Sequence, residues 1–315
     1  MITKLYKFLT KNIKFFILLM LFLICFIDLP YYIDAPGGLL NVNDKISIQD
    51  KNNLSGSISL AYVSEYKGSI PMLIYSLFNK NFDIQKETKG DNSDYRNEIL
   101  LTESTSNALL VALDRANIEY EIENKRVVVT YVSSDSDTTL EVGDIIYKVN
   151  NEVVNSKEEL LNIIKEYDTF NIEVVNNNKR YIRTATKNNN IIGITVSELF
   201  DINSSVDIKF NFSKHEMGPS GGAMMSLAIY NYLSEDITNG KKIAGTGTID
   251  SSGNIGVIGG IKYKILAASK ENVDVFFLPR DNYLEAYDTV VNNNLNINLV
   301  SVDNIDDVIN YLSNN

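Results

Sequence analysis

Two short apolar stretches, each opened by glycines, constrain this chain more than any other feature. The first is Gly218-Pro219-Ser220-Gly221-Gly222, running into Ala223-Met224-Met225-Ser226-Leu227-Ala228-Ile229-Tyr230. The second is Gly259-Gly260, running into Ile261-Lys262-Tyr263-Lys264-Ile265-Leu266-Ala267-Ala268. Each reads as a small-residue turn that hands over to a helix. Ser220 then sits at or near a helix N-terminus, with glycines on one side and a rigid proline on the other. Unpaired N–H groups and the positive end of the helix dipole can face a developing oxyanion there. A serine hydroxyl still needs a base. Lys262 falls in the first turn of the second stretch, among Ile258, Ile261, Ile265 and Leu266. Loss of hydration there lowers a lysine pKa and populates the neutral amine, which can take the serine proton. On spacing alone the bland reading competes: Gly-x-Ser-x-Gly-like runs are common, and a lysine in a first helical turn is ordinarily a solvated surface charge.

The start of the chain imposes a second constraint. Phe15 to Ile27 is an unbroken apolar run of thirteen residues, interrupted by Asp28 and extended by Leu29-Pro30-Tyr31-Tyr32-Ile33. Counted through Ile33 it reaches nineteen residues, enough for a transmembrane helix. Tyr31 and Tyr32 are then expected in an interfacial aromatic belt. Four of the 29 basic residues, Lys4, Lys7, Lys11 and Lys14, precede the run with no acid among them. The positive-inside rule therefore keeps the N-terminus in the cytoplasm and puts the body on the extracytoplasmic side of the cell membrane. A cleaved signal peptide is the rival reading, but no small-x-small site follows the run. The lone cysteine, Cys25, lies inside it, so the exported part has no disulfide and no thiol nucleophile.

Beyond the lysine cluster, 25 basic residues stand against 40 acids, which disfavours nucleic acid as a partner. His215 is the single histidine and lies five residues before Ser220, too close to stand between that serine and a separate acid in a triad. With no ligand cluster, neither a metal nor another cofactor is expected. No Gly-x-x-x-x-Gly-Lys-(Ser/Thr) phosphate loop lies in these 315 residues.

The middle of the chain alternates signals. A strand is expected at Ile46–Ile48, another over Ile58 to Tyr62, a helix from Pro71 to Phe78 and an amphipathic helix from Ser104 to Ala116. Arg126 to Val132 reads as a strand. Ser156-Lys157-Glu158-Glu159 is a capping box, and Asn176-Asn177-Asn178-Lys179 turns a hairpin. After Asn190, strands are expected at 191–196, 206–212, 242–249, 273–278 and 297–300. Helices are expected after Ser220, after Lys262, at 283–292 and at 304–312, with the site in a cleft between the two glycine-opened helices.

Four segments carry a family resemblance: Gly-Pro-Ser-Gly-Gly, then Gly-Thr-Gly-Thr-Ile-Asp at 245–250, then Gly-Gly-Ile-Lys-Tyr-Lys-Ile-Leu-Ala-Ala, then Phe-Phe-Leu-Pro-Arg-Asp-Asn at 276–282. In order and spacing they resemble the proteolytic domain of Lon-type serine proteases over about residues 193 to 315. That resemblance implies a Ser–Lys dyad of Ser220 as nucleophile and Lys262, the first lysine of Gly-Gly-Ile-Lys, as general base. It makes Thr246 a weaker candidate for orienting the lysine, and it admits a homo-oligomer. The sequence departs from the family's usual pattern at Gly221, where alanine is common, and at Met217, where many members have aspartate. Leu140-Glu141-Val142-Gly143-Asp144-Ile145-Ile146-Tyr147-Lys148-Val149-Asn150 resembles the Leu-x-x-Gly-Asp-x-Ile-x-x-Val-Asn segment of PDZ domains, which bind extended peptides by strand addition.

Anchor, PDZ-like module and Lon-type domain together resemble the membrane-anchored PDZ-containing Lon-like proteins of Gram-positive bacteria. The expected fold is therefore α+β, in four parts: 1–34 cytoplasmic stub and anchor, 35–121 juxtamembrane segment, 122–187 PDZ-like β-rich domain and 190–315 catalytic domain. The expected activity is an ATP-independent serine endopeptidase acting on exported or membrane-proximal proteins or peptides that the PDZ-like domain presents. A proteolytically silent, membrane-tethered peptide-binding adaptor is the alternative, and self-cleavage alone is a third.

Overall fold

The structure, a computed structural model, describes residues 11–48, 54–86, 93–213, 216 and 218–315. His215 and Met217 lie outside the described residues. In chain order come α1 (Ile13–Ile24), β1 (Tyr31–Asn41), β2 (Ile46–Ile48), β3 (Ser57–Lys67), α2 (Ile70–Leu77), β4 (Asp83–Lys86) and α3 (Ser93–Arg115). Next are β5 (Tyr120–Val132), β6 (Asp137–Thr138), β7 (Ile145–Val149), β8 (Glu152–Val153), α4 (Lys157–Glu166), β9 (Thr169–Asn176), β10 (Lys179–Thr186), β11 (Ile194–Ser204) and β12 (Ile208–Phe210). The chain ends with α5 (Gly222–Leu233), β13 (Lys242–Gly245), β14 (Thr248–Ile249), β15 (Ile255–Gly256), α6 (Ile261–Ala268), β16 (Val275–Pro279), α7 (Tyr283–Asn293), β17 (Leu299–Val302) and α8 (Ile305–Asn314).

The larger sheet is mixed, in the order β17-β16-β13-β3-β1-β4. β13 runs parallel to both β16 and β3, pairing Ile243 with Val275 on one side and with Ile58 on the other. Both faces are covered, which is the usual condition of parallel strands. Alternation along β16 shows this directly. Phe277 joins a core with Met224 and Leu227 of α5, Val111 of α3 and Val308 of α8. Phe276 and Leu278 join the opposite core with Ile261 and Ile265 of α6 and Ala286 of α7.

The second sheet is antiparallel and curled, in the order β11-β5-β7-β9-β10-β6, with β8 on β7. Its own core collects Val127, Val129, Ile146, Phe170, Ile172 and Val174 under Leu160 and Ile163 of α4. Half of the expected capping box forms: Ser156 accepts from the Glu159 N–H at 3.1 Å, while the Glu159 carboxylate takes the Asn155 N–H instead of that of Ser156. The expected hairpin forms, and its Asn177 and Asn178 both take positive φ, as a type I′ turn requires. β5 and β11 make a long ribbon whose Tyr120 and Phe200 pack into the larger unit, while Val127 and Val129 pack into the curled one.

Four expectations are corrected. Residues 35–121 and 190–315 are not separate domains, because β1 and β3 lie in one sheet with β13, β16 and β17. The unit expected at 122–187 is an insertion carried on the β5–β11 ribbon, and its core extends to Ile192. The nineteen-residue span to Ile33 is not helical. α1 ends at Ile24, and Tyr31–Ile33 belong to β1, with Ile33 fully buried. Pro30 cannot donate to a helix, and Tyr32 pairs with Lys67 instead. Among the described residues no helix is long and apolar enough to cross a membrane. The helix expected at 104–116 starts earlier, at Ser93.

Candidate active site

Ser220 occupies the middle of a single 3₁₀ turn, Pro219–Gly221, that feeds directly into α5. Gly222 through Ile229 are all buried, so the helix runs through the core rather than over it. Small residues are needed where it enters. A Cβ on Gly222 would meet the Ile249 side chain and Ser104 Oγ, each at 2.7 Å.

The Ser220 carbonyl is fixed from below by the break between β13 and β14. It accepts from the Gly247 N–H at 2.8 Å and from Thr246 Oγ1 at 3.0 Å. The sequence reading expected one strand over 242–249. The structure interrupts it at Thr246-Gly247, and the interruption brings Thr246 beneath the serine. Thr246 is itself held by Phe277 of β16, whose carbonyl takes its N–H at 3.0 Å.

The lysine at the serine is Lys264. Its Nζ lies 2.8 Å from Ser220 Oγ and 2.9 Å from Thr246 Oγ1. Lys262 lies elsewhere: its Nζ contacts Asp83 Oδ2 at 3.0 Å and the Lys80 carbonyl at 3.2 Å, and its side chain is 30% exposed. The expected Ser220–Lys262 pair is therefore not brought together. Residues two apart on a helix point to nearly opposite sides, so only one of these lysines can face the serine. A signal for the right one was present. Lys264 shares the apolar face of Ile261, Ile265 and Ala268 at helical spacing, whereas Lys262 does not.

Lys264 is 3% exposed, and burial pulls its pKa from 10.5 down to about 8. Glu216, the nearest acid before the serine in the described chain, is held in an ion pair with Lys45 at 2.7 Å and accepts from the Ser213 N–H. Its charge is thus neutralised at the rim and not beside the amine.

Ser220 and Lys264 open into a cleft of about 810 Å³ walled by Leu40, Leu60, Tyr62, Met225 and Ile258. The Ile258 wall is fixed by the buried Asn282, whose side chain accepts from the Ile258 N–H at 3.0 Å and donates to its carbonyl at 2.9 Å. Each of the four sequence segments thus has a place at the site. Among the described residues, no group of three or more His, Cys, Asp or Glu is placed to hold a metal ion.

Over residues 115–314 the chain matches the Lon protease (S16) C-terminal proteolytic domain. It belongs to that family. The family's domain is a serine-type peptidase, in agreement with a serine and a buried lysine in hydrogen-bond contact. The chain is 34% identical to the Lon protease of Rickettsia typhi over 94 residues, which are 30% of this chain and 12% of that protein. It is 36% identical over 97 residues to the Lon protease of Campylobacter jejuni, covering 30% and 12%. It is 37% identical over 93 residues to that of Campylobacter concisus, covering 29% and 11%. The chain thus matches only about an eighth of the length of these Lon proteases.

Proposed function

We propose that this protein is a membrane-anchored serine endopeptidase with Ser220 as nucleophile and Lys264, in place of Lys262, as general base. One observation carries the proposal: a buried amine with a pKa of about 8 lies 2.8 Å from a serine hydroxyl that opens into a cleft. The Thr246 hydroxyl proton is committed to the Ser220 carbonyl, so its lone pair is what faces Lys264 Nζ. A neutral amine donates one N–H to Thr246, and its own lone pair can receive the Ser220 proton. Ser220 then attacks a peptide carbonyl. Lysinium returns the proton to the leaving amine, and water repeats the cycle on the acyl-enzyme. The Gly222 N–H is already bonded to the Pro219 carbonyl. That narrows the expected oxyanion donors to the N–H groups of Ser220 and Gly221.

The substrates are extended segments of exported or membrane-proximal proteins, which reach the cleft without prior unfolding. The anchor is the Phe15–Ile27 run, most of whose side chains are exposed, with Phe16 and Ile24 half-buried. The curled unit is read as PDZ-like from its Gly143-Asp144 segment and the α4 helix beside it. β5 lies between β11 and β7 in that sheet, so presenting a peptide there requires β11 to move aside. The test is hydrolysis of an unfolded protein by the detergent-solubilised chain without nucleotide. Cleavage lost in Ser220→Ala supports the enzyme. Absence of cleavage by wild type, with full function of Ser220→Ala in cells, returns the protein to a tethered adaptor.

A further inference from the structure

Among the described residues, α2 presents an exposed apolar face, on which the Tyr75 ring meets Phe82 edge to face. From Ser69 to Asn79 the sequence carries no charge, and Lys67 and Lys80 flank it. Ile70, Ile74, Tyr75, Leu77 and Phe78 are exposed, Leu77 to 74% and Phe78 to 86%. Their spacing of four, one, two and one places them on a single side of the helix, while Ser76 is turned inward.

The position of this face indicates its occupant. Shortly after α1 the Leu29 N–H bonds the Gly68 carbonyl at 2.8 Å, and the Gly68 N–H bonds the Tyr31 carbonyl at 2.7 Å. Gly68 is required for this approach, because a Cβ there would meet the Tyr31 carbonyl oxygen at 2.8 Å. α2 begins two residues later. The start of α2 therefore lies beside the chain that leaves α1, and on α1 residues as far around the helix as Leu18, Met20 and Phe22 are all more than half exposed. A helix that is apolar and exposed all round belongs in lipid. A short uncharged helix with an exposed apolar side and lysines beyond both ends, beside such an element, suits the membrane interface.

We propose that α2 is a second membrane contact, lying in the headgroup region of the bilayer that α1 enters and seating the adjoining end of the larger sheet against it. This rests on the anchor reading above. The turn after α2 is the one gripped by Lys262, through the Lys80 carbonyl and Asp83, so the seat is tied to the first turn of the helix that carries Lys264.

The protein contains no tryptophan, so a single introduced indole reports one position. The full chain is reconstituted in phosphatidylcholine–phosphatidylglycerol vesicles, with and without acyl-chain bromine, as Leu18→Trp, Phe78→Trp and, on the distant curled unit, Ile182→Trp. Phe78→Trp is expected to shift to the blue and to lose about half its intensity to brominated lipid, as a side chain at the acyl boundary does. Leu18→Trp is expected to be quenched as well, and Ile182→Trp to behave as in water. Quenching of Leu18→Trp without Phe78→Trp overturns the α2 contact and leaves the anchor standing. Quenching of neither removes the anchor reading and this inference with it. A blue shift of Phe78→Trp without quenching overturns the inference by showing that protein, such as a second copy, covers the face.

Discussion

Replacing Lys264 by methionine is expected to abolish acylation while making the folded protein more stable at neutral pH. The lysine pKa falls from 10.5 to about 8 on burial. Between those values the unfolded chain holds a proton that the folded chain lacks, so stability rises with pH through that window. Below pH 8 both states are protonated, and the folded state bears the full cost of burying the charge. The cost is about 3 kcal/mol at pH 7 and about 1 kcal/mol at pH 9.5. Methionine has similar length and no charge, so it relieves this cost. It also forfeits the hydrogen bonds to Ser220 and Thr246, an offset of about 1 kcal/mol that is the same at both pH values. The gain from the substitution should therefore be larger at pH 7 than at pH 9.5 by about 2 kcal/mol. Denaturant unfolding of both proteins at the two pH values, followed by circular dichroism, measures it. A stability change independent of pH would refute the reasoning, because the amine would then not be buried as a charge.

Three further outcomes follow from the same geometry. The acylation rate should rise about tenfold per pH unit below pH 8 and level off above it, read from single-turnover kinetics, since only the neutral amine accepts the serine proton. Gly221→Ala should be tolerated, because its Cβ would meet only the end of the Leu60 side chain at 2.8 Å, whereas Gly222→Ala should lose about 1–3 kcal/mol against Ile249 and Ser104 in thermal melts. Asp144→Ala should unfold the curled unit selectively, at a cost of about 3–5 kcal/mol seen by hydrogen exchange. It removes the fully buried partner that Arg183 meets at 3.0 Å, leaving it only the exposed Glu141, and takes the acceptor from the Asn176 side chain and the Glu141 N–H.

The site was legible where its determinants are local. Gly218 to Gly222 announce a turn into a buried helix by residue type alone, and Ser220 stands where those residues put it. The choice between Lys262 and Lys264 depended on helix phase, two residues and about half a turn apart. The motif pointed to the first lysine, and the Ile261–Ile265–Ala268 face pointed to the second. The pairing of β3 with β13 joins Ile58 to Ile243, and no local pattern in either strand announces so distant a partner. For the same reason Tyr31 to Ile33 read as the end of an apolar span. Apolar residues suit a bilayer and a sheet core equally, and what decides is the β3 strand they meet. The curled unit was legible as a unit, from the Gly143-Asp144 turn and the Ser156 cap. Its status as an insertion was not, because the ribbon that carries it closes only when β11 returns to β5.

The account turns on which lysine serves Ser220, and active-site labelling with a fluorophosphonate decides it. Wild type and Lys262→Ala are expected to label at Ser220, and Lys264→Ala and Ser220→Ala are not. Labelling that survives in Lys264→Ala but vanishes in Lys262→Ala would contradict the account.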